Sequence, residues 1–228
     1  MNEPLRVGAA VIDLDGTLLD TAPDLVAAAN AMREALGLAP LPFDTVVSYV
    51  GKGAERLVHR ALTTDPDGQA EGALFQVGHR LFFEFYQREN GRYATLFPLV
   101  REGLEQMRGL GLRLACVTNK PMRFTTPLLQ RHDLARYFEL VLGGDSLPRR
   151  KPDPLPLLHA AQTFGLAPAQ VVMVGDSIND ARAARAAGMP VLVVPYGYNE
   201  GRDVQTLDVD GIVPTLAAAA ERLSHFFR

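Results

Sequence analysis

Two aspartates, Asp13 and Asp15, lie two positions apart, directly after a short apolar run and just before Gly16. On an extended segment such side chains point the same way, so both carboxylates can face one cavity. Gly16 then permits a tight turn that a side chain would obstruct. An isolated Asp-x-Asp pair is equally typical of a turn or a helix cap. The pair therefore indicates chemistry only in combination with other residues.

Polar residues also follow three other apolar runs of the chain. They are Thr118-Asn119-Lys120, Lys151-Pro152-Asp153-Pro154 and Asp176-Ser177-Ile178-Asn179-Asp180. A helix cap or a loop position explains each residue by itself, but does not explain why they follow successive apolar runs. Ligands of open α/β sheets bind at the carboxyl ends of the strands. We therefore expect all of these residues at one rim of one sheet.

The aspartates at these ends, Asp13, Asp15, Asp176 and Asp180, predict a metal site. Carboxylates that lie close together are costly unless a proton or a cation joins them. A pocket of carboxylate oxygens suits a hard divalent ion, and Mg²⁺ in particular keeps waters and shares a phosphate oxygen. No group of His and Cys residues has the spacing of a zinc site. Mg²⁺ is therefore the expected cofactor.

Thr118 and Lys151 favour a phosphate ligand at the same rim. A lysine offers a point charge to a phosphate oxygen, and a threonine hydroxyl can donate a hydrogen bond to one. With the phosphate charge neutralised, an aspartate can attack phosphorus and form a phospho-aspartyl intermediate. Asp15 could protonate the leaving oxygen and later deprotonate water. The combination predicts phosphoryl transfer.

The elements that must position these residues follow from five short apolar runs, which are typical of strands buried on both faces. The runs are Ala9 to Ile12, Leu112 to Val117, Leu140 to Leu142, Val171 to Val174 and Val191 to Val194. Helical spacing is found in residues 100–110, 124–132, 155–164, 178–187 and 216–227. The alternation predicts an α/β fold with a parallel sheet covered on both sides.

Residues 22–94 interrupt this alternation, because their apolar spacing is helical and no buried strand is evident. Helices are expected at 24–36, 54–62 and 70–89. An all-helical insert directly after the first strand indicates a second domain. We predict a Rossmann-like core of residues 1–15 and 95–228 and a helical cap of residues 16–94.

Composition favours a protein that acts on small molecules. The formal net charge of −3 does not suggest binding to nucleic acid or to an anionic membrane surface. Cys116 is the only cysteine, which excludes an internal disulfide and fits a reducing compartment. No apolar stretch is long enough to span a bilayer, and the first residues do not resemble a secretory signal. We expect a cytoplasmic protein.

Taken in order, the motifs at Asp13, Thr118, Lys151 and Asp176 to Asp180 resemble those of the haloacid dehalogenase superfamily, and the resemblance covers nearly the whole chain. Within the superfamily, residues 20–25, 50–54, 117–121 and 143–145 are similar to segments of the phosphoglycolate phosphatases. The resemblance implies a Rossmann-like sheet with an inserted helical cap.

The resemblance also implies a role for each motif residue. Asp13 would be the nucleophile and Asp15 the general acid and base. Thr118, Asn119 and Lys151 would bind the phosphate. Mg²⁺ would be held by the Asp13 carboxylate, the Asp15 main-chain carbonyl and Asp176, with Asp180 nearby and orienting a bound water or Lys151. The expected reaction is the hydrolysis of 2-phosphoglycolate to glycolate and phosphate.

Other functions compatible with these motifs are a sugar-phosphate phosphatase, a phosphoglucomutase-like phosphotransferase and a non-catalytic protein that binds phosphorylated metabolites. The cap would select the substrate. Gly51, Lys52 and Gly53 precede a predicted helix whose N-terminus favours anions, so we predict that this loop recognises a substrate carboxylate. The alternative is a simple turn with Lys52 in solvent.

Overall fold

A computed structural model describes residues 7–199 and 201–225. Its centre is a six-stranded parallel sheet. In their order across the sheet, the strands are β5 (Leu140–Leu142), β4 (Arg113–Val117), β1 (Ala9–Ile12), β6 (Val171–Gly175), β7 (Val191–Val193) and β8 (Gly211–Ile212). The five predicted strands are present within one residue of their expected ends. The edge strand β8 is too short for its sequence pattern to reveal it.

Helices cover both faces of this sheet. They are α5 (Val100–Gly109), α6 (Met122–Arg131), α7 (Leu155–Phe164), α8 (Ile178–Ala187) and α9 (Leu216–Ser224). Because side chains alternate along a strand, Ala10 and Ile12 of β1 enter the apolar cluster on one face, whereas Ala9 and Val11 enter the cluster on the other. The last predicted helix extends to position 227, which lies outside the described residues.

The segment between β1 and the next strand of the large sheet is helical, as expected. It contains α1 (Ala22–Ala35), α2 (Phe43–Val47), α3 (Ala54–Thr63) and α4 (Gly72–Glu89). α1 begins two residues before its predicted start, because Pro23 lies in its first turn, where a missing N–H has no cost. The five-residue α2 has no counterpart among the predicted helices, since one turn leaves little periodicity to detect.

These four helices form an apolar cluster of their own, with Phe82 and Tyr86 of α4 at its centre. Phe124 of α6 and Tyr198, which lie outside residues 22–94, also belong to this cluster. A two-stranded antiparallel ribbon of β2 (Leu19–Asp20) and β3 (Thr95–Leu96) carries the chain into and out of the helical segment. The division into core and cap domains stays our proposal. No helix of the described ranges is long and apolar enough to cross a membrane.

Candidate active site

Asp13 follows β1 directly and is almost fully buried. Its Oδ1 accepts a hydrogen bond from the main-chain N–H of Leu14 at 2.7 Å and lies 2.9 Å from Nζ of Lys151. Burial raises the pKa of Asp13 to about 7, although the ammonium of Lys151 lowers it, and Asp180 adds to the increase. The sheet therefore holds Asp13 where a further positive charge would stabilise its anionic form.

The ammonium group of Lys151 contacts three oxygen atoms of the protein around the site. Nζ donates to the carbonyl of Val117 at 2.7 Å and to Oδ1 of Asp180 at 2.7 Å, in addition to its contact with Asp13. Burial disfavours the charged lysine, but Asp13 and Asp180 outweigh that effect and raise its pKa. Lys151 thus offers a positive charge beside the predicted nucleophile.

Asp176 follows β6 and is held from two directions. Its Oδ1 accepts from the hydroxyl of Thr17 at 2.9 Å, and its Oδ2 accepts from the main-chain N–H of Tyr198 at 2.5 Å. Burial raises the pKa of Asp176 well above its usual range, and Asp180 and Asp13 raise it further. The two donors orient the carboxylate of Asp176, but both are neutral groups and do not compensate its negative charge.

One carboxylate oxygen from each of Asp13, Asp176 and Asp180 lies within 4.8 Å of the other two. Three buried oxygens of this kind suit a hard divalent cation. Asp180 already accepts from the Ser177 hydroxyl at 2.7 Å, from two main-chain N–H groups and from Lys151. Asp180 therefore has fewer lone pairs to offer than Asp13 or Asp176, which fits the supporting role predicted for it. The residues present fit a divalent metal.

Asp15 has side-chain partners that differ from those of these three carboxylates. Its Oδ1 accepts from the hydroxyl of Thr21 at 2.6 Å and from Nζ of Lys120 at 2.7 Å. The side chain lies in the same cleft as Asp13 but is not one of the three that could hold a metal. The contact of a metal with the main-chain carbonyl of Asp15 stays our prediction.

Glycines make the close approach of these loops possible. Gly16 has a φ of +85°, and a Cβ atom built there would lie 2.3 Å from Oδ2 of Asp176. A Cβ at Gly197 would lie 2.3 Å from the same oxygen. Any side chain at either position would displace Asp176. The motif around Asp13 predicts the need for Gly16, whereas Gly197 has no sequence signal because it lies in an unrelated loop.

Thr118 and Asn119 follow β4 and line the cleft with Asp13 and Lys151. The Thr118 hydroxyl accepts from the main-chain N–H of Lys120 at 3.2 Å. The Asn119 side-chain amide donates to the carbonyls of Lys151 at 2.8 Å and Gly51 at 3.2 Å. Since both of its N–H bonds are engaged, the Asn119 amide joins three loops, and a phosphate contact from this residue would use its main chain.

The loop predicted to select the substrate lies over the cleft. Gly51 and Gly53 line it, as do Leu25, Leu57 and Tyr86 of the helical segment. Gly53, with a φ of +88°, directly precedes α3. A Cβ atom built there would lie 3.0 Å from the Arg150 guanidinium. Lys52, between the two glycines, is not among the residues that line the cleft.

Three residues of the site carry no role in the sequence interpretation. Lys120 contacts Asp15, Thr17 orients Asp176, and Tyr198 contacts Asp176 through its main chain and Asp20 through its hydroxyl. Lys120 and Thr17 lie within the motif segments, so their position in the sequence offers a signal. Tyr198 offers none, because its loop approaches the site only in the folded chain.

Comparisons with known proteins agree on one family. Residues 7–188 match the family model of the haloacid dehalogenase-like hydrolases. The chain is 54% identical over 221 residues to the phosphoglycolate phosphatase of Nitrosospira multiformis, with 97% of each chain covered. It is 51% identical over 217 residues to that of Thiobacillus denitrificans, covering 95% of this chain and 96% of the relative.

A solved structure gives the same result. The crystal structure of a predicted phosphoglycolate phosphatase from Haemophilus somnus superposes with a TM-score of 0.89 at 32% identity. The alignment covers 97% of this chain and 99% of that one. The similarity therefore extends over the sheet and the inserted helices together.

Proposed function

Because the chain belongs to the haloacid dehalogenase-like hydrolases and is a phosphoric monoester hydrolase, we propose that it converts 2-phosphoglycolate to glycolate and phosphate with Mg²⁺ as cofactor. The observation that carries the proposal is the convergence of Asp13, Asp15, Thr118, Lys151 and Asp176 in one cleft beneath the helical segment. The names of relatives of about half-identical sequence support the substrate.

In the first half-reaction Asp13 attacks phosphorus. Its carboxylate oxygen forms the new bond, and the bond from phosphorus to the bridging oxygen breaks, which leaves a phospho-aspartyl group on the enzyme. Lys151 and the Thr118 hydroxyl stabilise the phosphoryl oxygens, since both line the cleft with Asp13. Asp15 gives its proton to the bridging oxygen, which becomes the hydroxyl group of the departing glycolate.

In the second half-reaction water attacks the phospho-aspartyl group. Asp15, now a carboxylate, takes a proton from that water, and the bond between phosphorus and the Asp13 oxygen breaks. Phosphate leaves and Asp13 is restored as a carboxylate. Thr21 and Lys120 both donate to Oδ1 of Asp15, which orients the carboxyl group and leaves its other oxygen for the proton in both transfers.

A divalent cation held by the Asp13 and Asp176 carboxylates and the Asp15 carbonyl, with Asp180 in support, would neutralise charge on the phosphoryl group and on the carboxylates around it. Mg²⁺ is favoured because it prefers oxygen ligands and shares substrate phosphate oxygens. Raised pKa values at Asp13 and Asp176, caused first by burial, support the need for such a cation.

The cap loop of Gly51, Lys52 and Gly53 is proposed to select the substrate, because its glycines close over the cleft. The net charge of −3 supports a small metabolite as partner, with no role for nucleic acid or membrane. The buried thiol of Cys116 within β4 supports a reducing, cytoplasmic location, since no partner cysteine exists in the chain.

A substrate panel tests the proposal. Phosphate release from 2-phosphoglycolate should exceed release from sugar phosphates, pyrophosphate and nucleotides, should stop on chelation and should return with Mg²⁺. Interconversion of glucose phosphates without phosphate release would show a mutase instead. Binding of the panel without turnover would show a non-catalytic protein, and full activity after exhaustive metal removal would contradict the metal site.

A further inference from the structure

Lys120 is a buried cation that the proposed reaction uses only as a support for Asp15. It follows β4, is 6% exposed and lines the cleft with the residues of the site. Burial disfavours the charged form, but the carboxylate of Asp15 and the nearby Tyr86 outweigh this effect and raise the pKa of Lys120. The contact of 2.7 Å between Nζ of Lys120 and Oδ1 of Asp15 places a buried ammonium group inside the cleft.

The two lysines of the cleft differ in how their hydrogen bonds are used. Nζ of Lys151 has three oxygen partners, from Val117, Asp180 and Asp13. Among the described residues, Nζ of Lys120 makes one hydrogen bond of normal geometry, to Oδ1 of Asp15, with the Tyr86 hydroxyl as a further neighbour. An ammonium carries three donors, so Lys120 has capacity to bind a second acceptor inside the cleft.

Tyr86 of α4 completes the surroundings of Lys120 from the helical side. Nζ of Lys120 lies 5.1 Å from the centre of the Tyr86 ring. The Tyr86 hydroxyl is buried and close enough to influence the pKa of Lys120, but it makes no hydrogen bond of normal geometry with any described residue. Since buried hydroxyls normally have a partner, this group and Lys120 together offer a place for an acceptor.

The chemistry of the substrate places an acceptor there. Asp15 contacts the bridging oxygen in the proposed reaction, and Lys120 contacts Asp15. In 2-phosphoglycolate the carboxylate carbon lies two covalent bonds beyond that bridging oxygen. Lys52, the cation of the cap loop, is not among the lining residues, whereas Lys120 and Tyr86 are.

We propose that Lys120 and the hydroxyl of Tyr86 bind the carboxylate of the substrate and so select phosphorylated 2-hydroxy acids over neutral phosphate esters. The inference rests on the proposed function, because it assigns the second anionic group of that substrate. Lys120 would keep its contact with Asp15 and donate its remaining N–H bonds to the carboxylate. Selectivity would then come from the sheet as well as from the cap.

The test compares 2-phosphoglycolate with ethyl phosphate, which has a methyl group in place of the carboxylate. We expect Lys120→Met to lower kcat/KM for 2-phosphoglycolate about 10²-fold more than for ethyl phosphate, as expected for loss of a charged hydrogen bond. Tyr86→Phe keeps the ring and should lower the same ratio about 10-fold. Arg149→Met removes an exposed charge that does not line the cleft. This control should leave the ratio of kcat/KM values for the two substrates unchanged.

Each outcome separates the inference from the proposed function. Wild-type enzyme without preference for 2-phosphoglycolate over ethyl phosphate would overturn the proposed function. A wild-type preference combined with equal losses on both substrates for Lys120→Met would show that Lys120 only positions Asp15, and would overturn the inference alone. If Lys120→Met does not fold, Lys120→Arg and Tyr86→Phe provide the test. Lys120→Arg should retain most of the preference for 2-phosphoglycolate. An unchanged ratio of kcat/KM for the two substrates in Tyr86→Phe would contradict the role of its hydroxyl.

Discussion

At the scale of single residues, Asp13 and Asp15 differ in their partners although they lie only two positions apart. Asp13 contacts Lys151 and belongs to the carboxylate cluster, whereas Asp15 is bonded to Thr21 and Lys120. These different surroundings support the proposed roles, in which Asp13 attacks phosphorus and Asp15 transfers protons. Two aspartates of the same strand end can divide the chemistry because their surroundings differ.

The division of roles predicts different defects. Asp13→Asn should abolish the phospho-enzyme, because an amide oxygen is a poor nucleophile. Asp15→Asn should lower turnover of 2-phosphoglycolate about 10²–10⁴-fold, the usual contribution of general acid–base catalysis. The loss should be smaller for p-nitrophenyl phosphate, whose leaving group needs no proton. Rapid-quench labelling and steady-state rates measure both effects, with Asp208→Asn, an exposed aspartate, as a control. Label on Asp15 would reverse the assignment.

Thr17 supplies a second prediction at this scale. Its hydroxyl is one of the two donors that orient Asp176, and it is fully buried. Residues that orient a metal ligand typically contribute about 10–100-fold to metal affinity. We expect Thr17→Val to raise the Mg²⁺ concentration for half-maximal activity by about that factor, with kcat at saturating metal nearly retained.

The matched control for Thr17→Val is Thr163→Val. This exposed threonine lies on α7, where its hydroxyl bonds only to the His159 carbonyl. Calorimetric titration with Mg²⁺ provides a reading independent of turnover. An unchanged affinity for Thr17→Val in that titration would show that Tyr198 alone is sufficient to orient Asp176.

At the scale of elements, the carboxyl ends of β1, β4 and β6 bring the polar residues together. The three strands are neighbours in the sheet, with β1 in the middle. Parallel strands end at the same edge, so residues from three distant parts of the sequence meet there. The helices α1–α4 then supply the opposite wall through Leu25, Leu57 and Tyr86. The site therefore requires both elements of the fold.

The loop before α3 yields a prediction about this wall. Gly53→Ala would bring a Cβ atom to 3.0 Å from the Arg150 guanidinium, whereas Gly37→Ala meets no atom within 4 Å. Both glycines have a positive φ, but Gly53 also has a ψ of 163°, a region that is essentially open to glycine alone. Gly37→Ala is therefore a control for a positive-φ substitution outside the cleft. Only Gly53→Ala strains the backbone of the loop over the cleft.

We expect Gly53→Ala to reduce kcat/KM more for 2-phosphoglycolate than for p-nitrophenyl phosphate, by up to about 10²-fold, because misplacement of about 1 Å can have that effect. Gly37→Ala should not lower kcat/KM for either substrate by more than its loss of stability explains. Steady-state kinetics together with melting temperatures separate the two effects. Equal losses on both substrates for Gly53→Ala would mean that the loop affects closure in general.

At the scale of the whole molecule, the site concentrates unfavourable charge in the interior. Asp13, Asp176 and Asp180 are buried together, and Lys151 is the one lysine that contacts two of them among the described residues. Buried like charges reduce the free energy of unfolding unless a cation compensates them. The fold is thus expected to gain stability when a divalent ion binds, and the gain should appear in global unfolding.

A thermal-shift experiment checks this expectation. A ligand at 100 times its Kd adds about 2.7 kcal/mol to the free energy of unfolding, which corresponds to roughly 5–11 °C in a chain of this size. Mg²⁺ should raise the melting temperature by that amount, and Na⁺ at equal ionic strength should not. Asp176→Asn should abolish most of the Mg²⁺ effect. The same increase in wild type and Asp176→Asn would place the stabilising ion elsewhere.

Much of the fold follows from the local pattern of the chain. The five main strands and the long helices are found within a few residues of their predicted ends, because burial on both faces and helical periodicity leave clear signals in these segments. The one-turn helix α2 and the two-residue strands β2, β3 and β8 are not predicted. Such short elements are formed by their neighbours and contain too few residues for a period.

The amino-acid sequence by itself determined that Asp13, Asp15, Thr118, Lys151 and Asp176 would meet, because each follows a strand and parallel strands end at one edge. Only the tertiary structure decided what completes the site. Lys120, Tyr198 and Gly197 reach Asp15 or Asp176 through contacts between loops. Those distances depend on how loops pack across the sheet edge, and neither periodicity nor motif spacing encodes that packing.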